Sequence, residues 1–332
     1  MGKRNIRIII LHDQMKTILR IRNQNPFDLL RHVAVFLSVG AALVQFGRFL
    51  FIALSRITYP FTLEWMEGGS FVQISRILAR QSLYVRPSFE FIPQIYPPVY
   101  FYISALFDTL LGNGFLSLRL VSIISTLGIL YLIYILVHQQ SGSKLAGILA
   151  SGLFCATYQL SGYWFDIARV DSLALALLLL SVYLLLKDKP AASLLGGIFL
   201  LLSCFTKQTM LIVALILAIY CVLPPRKNNI VFIGTALLGY SGGTLFLNWP
   251  HEGWYLYYIF HLPGQHRFLP KVTKLLTSTN EIFFAEIVQP ILFTAIVGML
   301  YLVVFPGKKG SPDNGTENLV WQKRAVWVLV LV

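Results

Sequence analysis

The sequence predicts an all-α fold, a polytopic transmembrane helical bundle with about eight or nine spans, the last one incomplete. Of its 332 residues, 56% are hydrophobic and only 12% are charged, about half the charged share of a soluble globular protein. Apolar runs of about the length that crosses a bilayer recur along most of the chain. Together these observations exclude a soluble enzyme and a disordered protein.

The chain opens with a basic segment followed by a first span. Residues 1–32 carry seven Lys or Arg residues and two acids, and the span follows at about 33–54. A secretory signal has a shorter basic start and a small-residue cleavage site. We therefore expect a retained anchor in the plasma (inner) membrane with a cytoplasmic N-terminus, and a single transmembrane domain over 33–332.

Further apolar runs follow the first span. They lie at 97–112, 118–137, 145–164, 170–186, 191–206, 208–223, 230–248 and 286–305. A final run begins at 325 and reaches the chain end at 332, which predicts a domain truncated at its C-terminus.

The run at 97–112 decides the orientation of all later spans. If it crosses the membrane, nine Lys or Arg residues of the later loops face outward; if it does not, those nine face the cytoplasm and six face outward. The positive-inside rule favours the second arrangement. We therefore expect 97–112 to be re-entrant or to lie on the surface. Residues 55–117 then form a first extracytoplasmic loop with juxtamembrane helices, and 249–285 form a second. The net charge of +13 is read as a topology signal, with no nucleic-acid partner.

The segment 187–227 predicts a helical hairpin. Cations close both of its ends, and one continuous helix of that length would overshoot a bilayer. A turn at Thr206-Lys207-Gln208 divides it into two arms of about 15 residues, each shorter than the hydrocarbon layer. Lys207 is then drawn below the outer surface, where an ammonium group needs a partner.

The first outer loop places two carboxylates close together. Glu64 and Glu67 are three residues apart, so on a helical turn they share one face. In residues 70–80 the apolar side chains recur at helical spacing on one face, and the polar side chains lie on the opposite face. This pattern predicts an amphipathic helix in the membrane interface. An ordinary acidic helix start accounts for the two acids equally well.

A second ionisable cluster lies between two spans. Asp166, Arg169 and Asp171 stand within six residues at the mouth of apolar helices, where charges are costly unless they are paired or functional. A local ion pair between Asp166 and Arg169 explains two of them but not Asp171. The cluster therefore favours a functional site.

Other motifs favour structural roles when taken alone. Tyr84 and Tyr96 are typical of interfacial aromatic residues. The His and aromatic residues of 249–285 match no metal-binding pattern and predict an interfacial aromatic belt. Cys155, Cys204 and Cys221 lie inside apolar runs, so neither a disulfide framework nor a metal cluster is indicated. The pattern requires no metal and no cofactor.

In this arrangement the chain resembles the GT-C superfamily of membrane glycosyltransferases, and most of all the branch with bacterial lipid A aminoarabinose transferases and protein O-mannosyltransferases. The features that carry the resemblance, in chain order, are Glu67-Gly68, Leu83-Tyr84, Tyr96-Pro97-Pro98, Arg119-Leu120, Ala168 to Ser172, and Thr206 to Gln208. They extend over residues 60–210, and beyond 210 the resemblance is mostly one of hydropathy.

The resemblance implies an inverting transfer of a sugar from a polyprenyl-phosphate donor to a hydroxyl acceptor (lipid, glycan or protein) at the extracytoplasmic face. Many relatives have an Asp-Glu pair in the first loop, where this chain has Met66 before Glu67. Glu67, or as second choice Glu64, is therefore expected to act as the base.

Cations are expected to meet the leaving phosphate. Lys207 and Arg169 are the candidates, while Asp166 or Asp171 binds acceptor hydroxyls or holds Arg169 in place. Tyr84, Tyr96 and Gln208 complete the expected substrate site, and membrane lipids surround it.

A transporter or flippase for lipid-linked sugars is the rival class, because it also places charges within spans. Such proteins usually have paired halves and a pathway open to both faces. The sequence has no internal repeat, and its acids cluster on one expected face, so the enzyme is favoured.

Overall fold

The computed structural model describes residues 26–91, 94–112, 114–222 and 227–265, with side chains from His32 onward. Within these ranges the chain is helical and has no β-strand, apart from an isolated bridge between Ser88 and Phe91. The longer helices are α1 (Pro26–Arg56), α2 (Trp65–Leu78), α3 (Val99–Leu111), α4 (Gly114–Ser141), α5 (Lys144–Ala156), α6 (Asp171–Leu185), α7 (Pro190–Cys204), α8 (Met210–Val222) and α9 (Lys227–Asn248). The short turns α10 (Trp254–Leu256), a π-helical turn (Tyr257–His261) and α11 (Leu262–Gly264) follow.

The chain divides into two compact units at His261. The first contains α1 to α10 and the π-helical turn, and the described part of the second is limited to α11 and Gln265. The runs predicted at 286–305 and 325–332, and the rest of the loop predicted at 249–285, lie outside the described residues.

The expected all-α membrane fold agrees with the helices found. Among the described residues, three helices are long and apolar enough to cross a membrane: His32–Arg56 within α1, α4 and α9. The apolar helices α3, α5, α6, α7 and α8 are shorter, with 13 to 15 residues each. The count of eight or nine spans therefore stays a prediction.

The predicted break near Lys207 is confirmed. Helix α7 ends at Cys204 and α8 begins at Met210, so Lys207 lies in the connecting turn. Its backbone N–H donates to Ser203 O at 3.0 Å, and Met210 N donates back to Lys207 O at 3.0 Å. The turn is thus closed by its own backbone, and the ammonium group is left for contacts with other segments.

Residues 97–112 fold as α3, which is too short for a conventional span at about 1.5 Å per residue. Its Tyr100 and Phe101 are almost fully buried and pack with Leu118 of α4 and with Ala168 and Val170 of the segment before α6. The packing of this buried face of α3 brings the segment at 94–98 beside the segment at 166–171, and both contribute to the site described below.

Helices α1 and α5 approach closely where a glycine allows it. A Cβ atom added to Gly152 would lie 2.3 Å from Ala42 Cβ and 2.8 Å from Ala42 Cα. No side chain fits there, so Gly152 sets the distance between the two helices. This contact holds α5, and the polar turn after it, against α1.

Candidate active site

A fully buried ion pair joins the first loop to the bundle. Arg119 donates to Glu67 from Nε at 3.0 Å and from Nη2 at 2.9 Å, and neither side chain is exposed. The same guanidinium donates to the carbonyls of Arg56, Ile57, Tyr59 and Phe61. Arg119 therefore binds the backbone of the segment that follows α1, residues 56–61, to the start of α4.

The Glu67 carboxylate is saturated by donors. Besides Arg119, it accepts from Ala168 N at 2.8 Å and from Leu63 N at 2.6 Å. Burial raises the pKa of Glu67, but the hydrogen bonds from Arg119, Ala168 and Leu63 outweigh burial and hold this pKa below its usual value. Both oxygens of this carboxylate are therefore occupied, and the side chain is fully buried.

A second ion pair, which we also call closed because its carboxylate is buried although Arg56 is 22% exposed, holds the turn before α6. Arg56 at the end of α1 donates to Asp166 from Nε at 2.6 Å and also from Nη2, and Tyr158 donates its hydroxyl to the same carboxylate. Asp166 is only 1% exposed. The local pair between Asp166 and Arg169 considered from the sequence is therefore wrong, because Asp166 is bound by an arginine 110 residues away.

The remaining charges form a partly open network, which we call the open network: Glu64, Arg169, Asp171 and Lys207. Arg169 Nε donates to Asp171 at 3.0 Å, and Arg169 Nη1 lies 3.4 Å from Glu64 Oε1. Lys207 Nζ binds the other oxygen of Asp171. Three separate segments thus bring two cations and two carboxylates together, with side-chain exposures of 9% to 28%.

Helix α2 fixes the position of Glu64. Glu64 is its N-cap residue and accepts from Met66 N at 2.9 Å through Oε2. Its other oxygen remains directed at Arg169. The pair Glu64 and Glu67, equivalent by spacing alone, therefore divides into one partly exposed carboxylate and one buried carboxylate.

Aromatic and amide side chains border the open network. The Arg169 guanidinium lies over the Trp164 ring at 3.9 Å, and the Tyr96 hydroxyl lies 3.9 Å from Met66 Sδ. Burial, followed by the negative charge of Asp171, raises the pKa of Tyr96, so its phenol stays protonated at neutral pH. Gln208 donates to Ile95 O at 2.7 Å, which attaches the α7–α8 turn to the segment before α3.

Tyr84 belongs to a separate aromatic cluster. Its hydroxyl donates to Tyr96 O at 2.9 Å, while its ring packs edge-on against His251 and Tyr255 at about 5 Å. Tyr255 and Tyr258 are buried, so these two residues do not form the interfacial belt predicted for 249–285. Tyr258 donates its hydroxyl to Val85 O at 2.8 Å and so attaches this cluster to the loop of Tyr84, while the hydrogen bond from Tyr84 links the cluster to the backbone of Tyr96.

Two important residues were not selected as site residues from the sequence. Arg119 had a detectable signal, since it is the only Asp, Glu, Lys or Arg in the 28 residues of α4, and a lone charge in an apolar helix is a functional or structural hypothesis by default. Arg56 stands at the boundary of α1 with the first loop, where a cation is ordinary. Its partner lies too far along the chain for spacing to indicate it.

The described residues contain no group of three or more His, Cys, Asp or Glu side chains arranged to hold a metal ion. Cys155, Cys204 and Cys221 are free thiols, all buried.

Comparison with known proteins gives one family match. Residues 96–254 match the model of the family described as dolichyl-phosphate-mannose-protein mannosyltransferase. The chain is similar to this family over slightly less than half of its length. The matched range includes Arg119, Arg169, Asp171 and Lys207, and it begins after Glu64.

The match supports the GT-C superfamily and a membrane glycosyltransferase that uses a lipid-linked sugar. The search of curated proteins and the search of solved structures each gave no match.

Proposed function

We propose that the chain is a membrane glycosyltransferase that moves a sugar from a polyprenyl-phosphate donor to a hydroxyl acceptor at the extracytoplasmic face. The observation that carries the proposal is the open network, in which a carboxylate, an arginine and a lysine from three segments converge while remaining partly exposed. In the Glu67–Arg119 pair, by contrast, neither side chain is exposed.

Glu64 is the better candidate for the base. A general base must reach the acceptor proton at hydrogen-bond distance, and 17% of the Glu64 side chain is exposed, compared with none of Glu67. A carboxylate whose pKa is lowered by four hydrogen bonds is also a weaker proton acceptor, which counts against Glu67. We assign Glu67, one helical turn after Glu64, the role of positioning Glu64 and Arg169 through its hydrogen bonds to the neighbouring backbone at Leu63 and Ala168.

Arg169 and Lys207 are assigned to the donor phosphate. Departure of the phosphate adds negative charge to its oxygens, and fixed cations at that point stabilise the transition state. Asp171 bridges both cations in the structure. The donor phosphate then takes over part of this pairing, and Asp171 keeps the two cations at the correct separation.

The proposed step is a single displacement. The acceptor oxygen forms a bond to the anomeric carbon as Glu64 takes its proton, and the bond from that carbon to the phosphate oxygen breaks on the opposite face. The phosphate oxygen keeps the electron pair, and the polyprenyl phosphate leaves with its added charge near Arg169 and Lys207. Attack opposite the leaving group inverts the anomeric configuration.

The test is transfer from radiolabelled polyprenyl-phosphate sugars in membranes that contain the full chain, with lipid and protein fractions separated. For Glu64→Gln we expect transfer to fall by roughly a hundredfold or more, the usual contribution of a general base. Glu90→Gln is the matched control, because it removes the same charge from an exposed position of the same loop. It should leave transfer unchanged.

Two other outcomes would contradict parts of the proposal. Full transfer in Glu64→Gln, together with loss in well-folded Glu67→Gln, would return the role of base to Glu67. Movement of intact donor across the membrane without any consumption of donor would indicate the rival flippase.

A further inference from the structure

A second cationic site lies on α1, away from the open network. Arg48 lies within the candidate span His32–Arg56 and is exposed. On the same helical face, four residues before and three residues after it, Val44 and Phe51 are 67% and 75% exposed. An apolar exposed face on a membrane-spanning helix faces lipid, so the Arg48 guanidinium emerges on a lipid-facing surface.

Arg48 has only neutral partners in the part of the chain that the structure describes. Its Nη2 donates to Gln159 Oε1 at 2.9 Å and to the Tyr163 hydroxyl at 3.2 Å. Arg56, Arg119 and Arg169, in contrast, each contact a carboxylate. Three of the five guanidinium N–H donors of Arg48, on Nε and Nη1, thus remain for a ligand.

The surrounding turn is shaped to hold these partners. Tyr163 has a φ of 61° and follows Gly162 with a φ of 71°, a backbone region that a bulky residue rarely adopts without support. The conformation lets Tyr163 contact two arginines, because its carbonyl accepts from Arg56 Nη2 at 2.6 Å while its hydroxyl accepts from Arg48. The phenolic proton of Tyr163 is then left as a further donor beside Arg48.

The position of Arg48 along α1 corresponds to the edge of a bilayer. It lies 16 residues after His32, or about 24 Å along the helix, in comparison with about 30 Å of hydrocarbon. For a hydrocarbon layer that begins where the candidate span begins, at His32, Arg48 lies just inside the opposite surface. A long cationic side chain at this depth extends to the lipid headgroups.

We propose that Arg48, with Gln159 and Tyr163, binds the phosphate group of an anionic membrane lipid. A cation exposed to lipid requires a partner, the described residues supply no anion for it, and the anions present at this depth are headgroup phosphates. Charge-assisted hydrogen bonds from the free guanidinium donors and from the Tyr163 hydroxyl suit phosphate oxygens. This inference rests on membrane insertion and is independent of the proposed sugar transfer.

The experiment is a lipid titration of the purified full chain in detergent, with the unfolding temperature as readout. Phosphatidylglycerol should raise this temperature and phosphatidylcholine should not. In Arg48→Gln we expect the titration midpoint for phosphatidylglycerol to increase by roughly ten- to a hundredfold, the effect of losing hydrogen bonds to a charged group. Arg86→Gln, which removes the same charge from an exposed loop position, should keep the wild-type midpoint.

Two outcomes of this titration would contradict the proposal, and two further variants serve if Arg48→Gln does not fold. An unchanged midpoint in Arg48→Gln would overturn the proposal, and so would equal stabilisation of the wild type by inorganic phosphate at the same concentration, because the ligand would then be free phosphate. If Arg48→Gln does not fold, Tyr163→Phe and Gln159→Leu take its place. Each should raise the midpoint several-fold, and wild-type midpoints in both would also overturn the proposal.

Discussion

Glu67→Gln should destabilise the protein much more than Glu64→Gln, although the two carboxylates lie on the same helix three residues apart. Glu67 is fully buried and accepts four hydrogen bonds, two from Arg119 and one each from Leu63 and Ala168. A glutamine of the same shape keeps one acceptor oxygen but turns an NH₂ group toward donors, and it leaves the buried Arg119 without a counter-charge.

The expected magnitudes follow from burial. Removal of one partner from a buried ion pair costs about 3–5 kcal/mol. The pair between Glu64 and Arg169 is longer, at 3.4 Å, and partly exposed, so its loss should cost about 1 kcal/mol or less. At about 2–4 °C per kcal/mol for a mid-sized domain, Glu67→Gln should lower the unfolding temperature by roughly 10 °C and Glu64→Gln by about 2 °C.

The assay is thermal unfolding of the purified chain in one detergent at neutral pH, with Glu90→Gln as the control for removal of a surface charge. A double-mutant cycle with Arg119→Met isolates the pair, because the second substitution should cost much less once the first has been made. Equal unfolding temperatures for Glu64→Gln and Glu67→Gln would refute the assignment of Glu67 as the buried member. Additive effects of Glu67→Gln and Arg119→Met would refute their direct coupling.

Three further predictions address pH, donor binding and packing. Because folding lowers the pKa of Glu67, this residue contributes fully to stability above its ordinary pKa of 4.5, and the contribution is lost as pH falls through the pKa of the folded state. Thermal unfolding scans from pH 7 to 3 should therefore show a steeper loss of stability in wild type than in Glu67→Gln. Lys207→Met should raise KM for the lipid-linked donor by roughly tenfold or more, and Lys207→Arg should restore most of the affinity because it keeps the positive charge. An unchanged KM in Lys207→Met would contradict the assignment of Lys207 to the donor phosphate. Gly152→Ala should clearly lower the unfolding temperature, because the added methyl group would overlap Ala42. Gly128→Ala in α4 is the control, since this glycine has open space around it and the substitution should be neutral or mildly stabilising. Equal effects of the two substitutions would contradict the close approach of α1 and α5.

The members of the open network were predictable because they carry charge in an otherwise apolar chain. Asp171 and Lys207 stand at the ends of apolar runs, and a bilayer allows few positions for such groups. The hairpin break at Lys207 was predictable for a related reason, since cations closed both ends of a segment too long for one span. Hydropathy thus indicated where these charged groups lie along the chain. The prediction that they come together followed from placing the corresponding helix ends on the same side of the membrane.

The choice of ion-pair partners was not predictable. Spacing favoured Arg169 as the partner of Asp166, yet Arg56 holds it across 110 residues, because the tertiary fold brings the end of α1 onto the turn before α6. Spacing also treats Glu64 and Glu67 as equivalent. Helix capping separates them, since the N-cap position leaves Glu64 at the helix entrance while Glu67 lies one turn inside and faces Arg119.

The closed ion pairs explain how loop residues can form an accurately placed open network. Glu67 holds Ala168 N and Arg56 holds Asp166, so the backbone on the near side of Arg169 is fixed at two points. The same Glu67 fixes the first turn of the helix that carries Glu64. Substitutions in the closed pairs should therefore lower activity and unfolding temperature together, because they release Arg169 and Glu64 from their positions. Substitutions in the open network should lower activity while changing the unfolding temperature by only about 2 °C, and a variant series in which both properties fell to the same extent at both sets of positions would contradict this division.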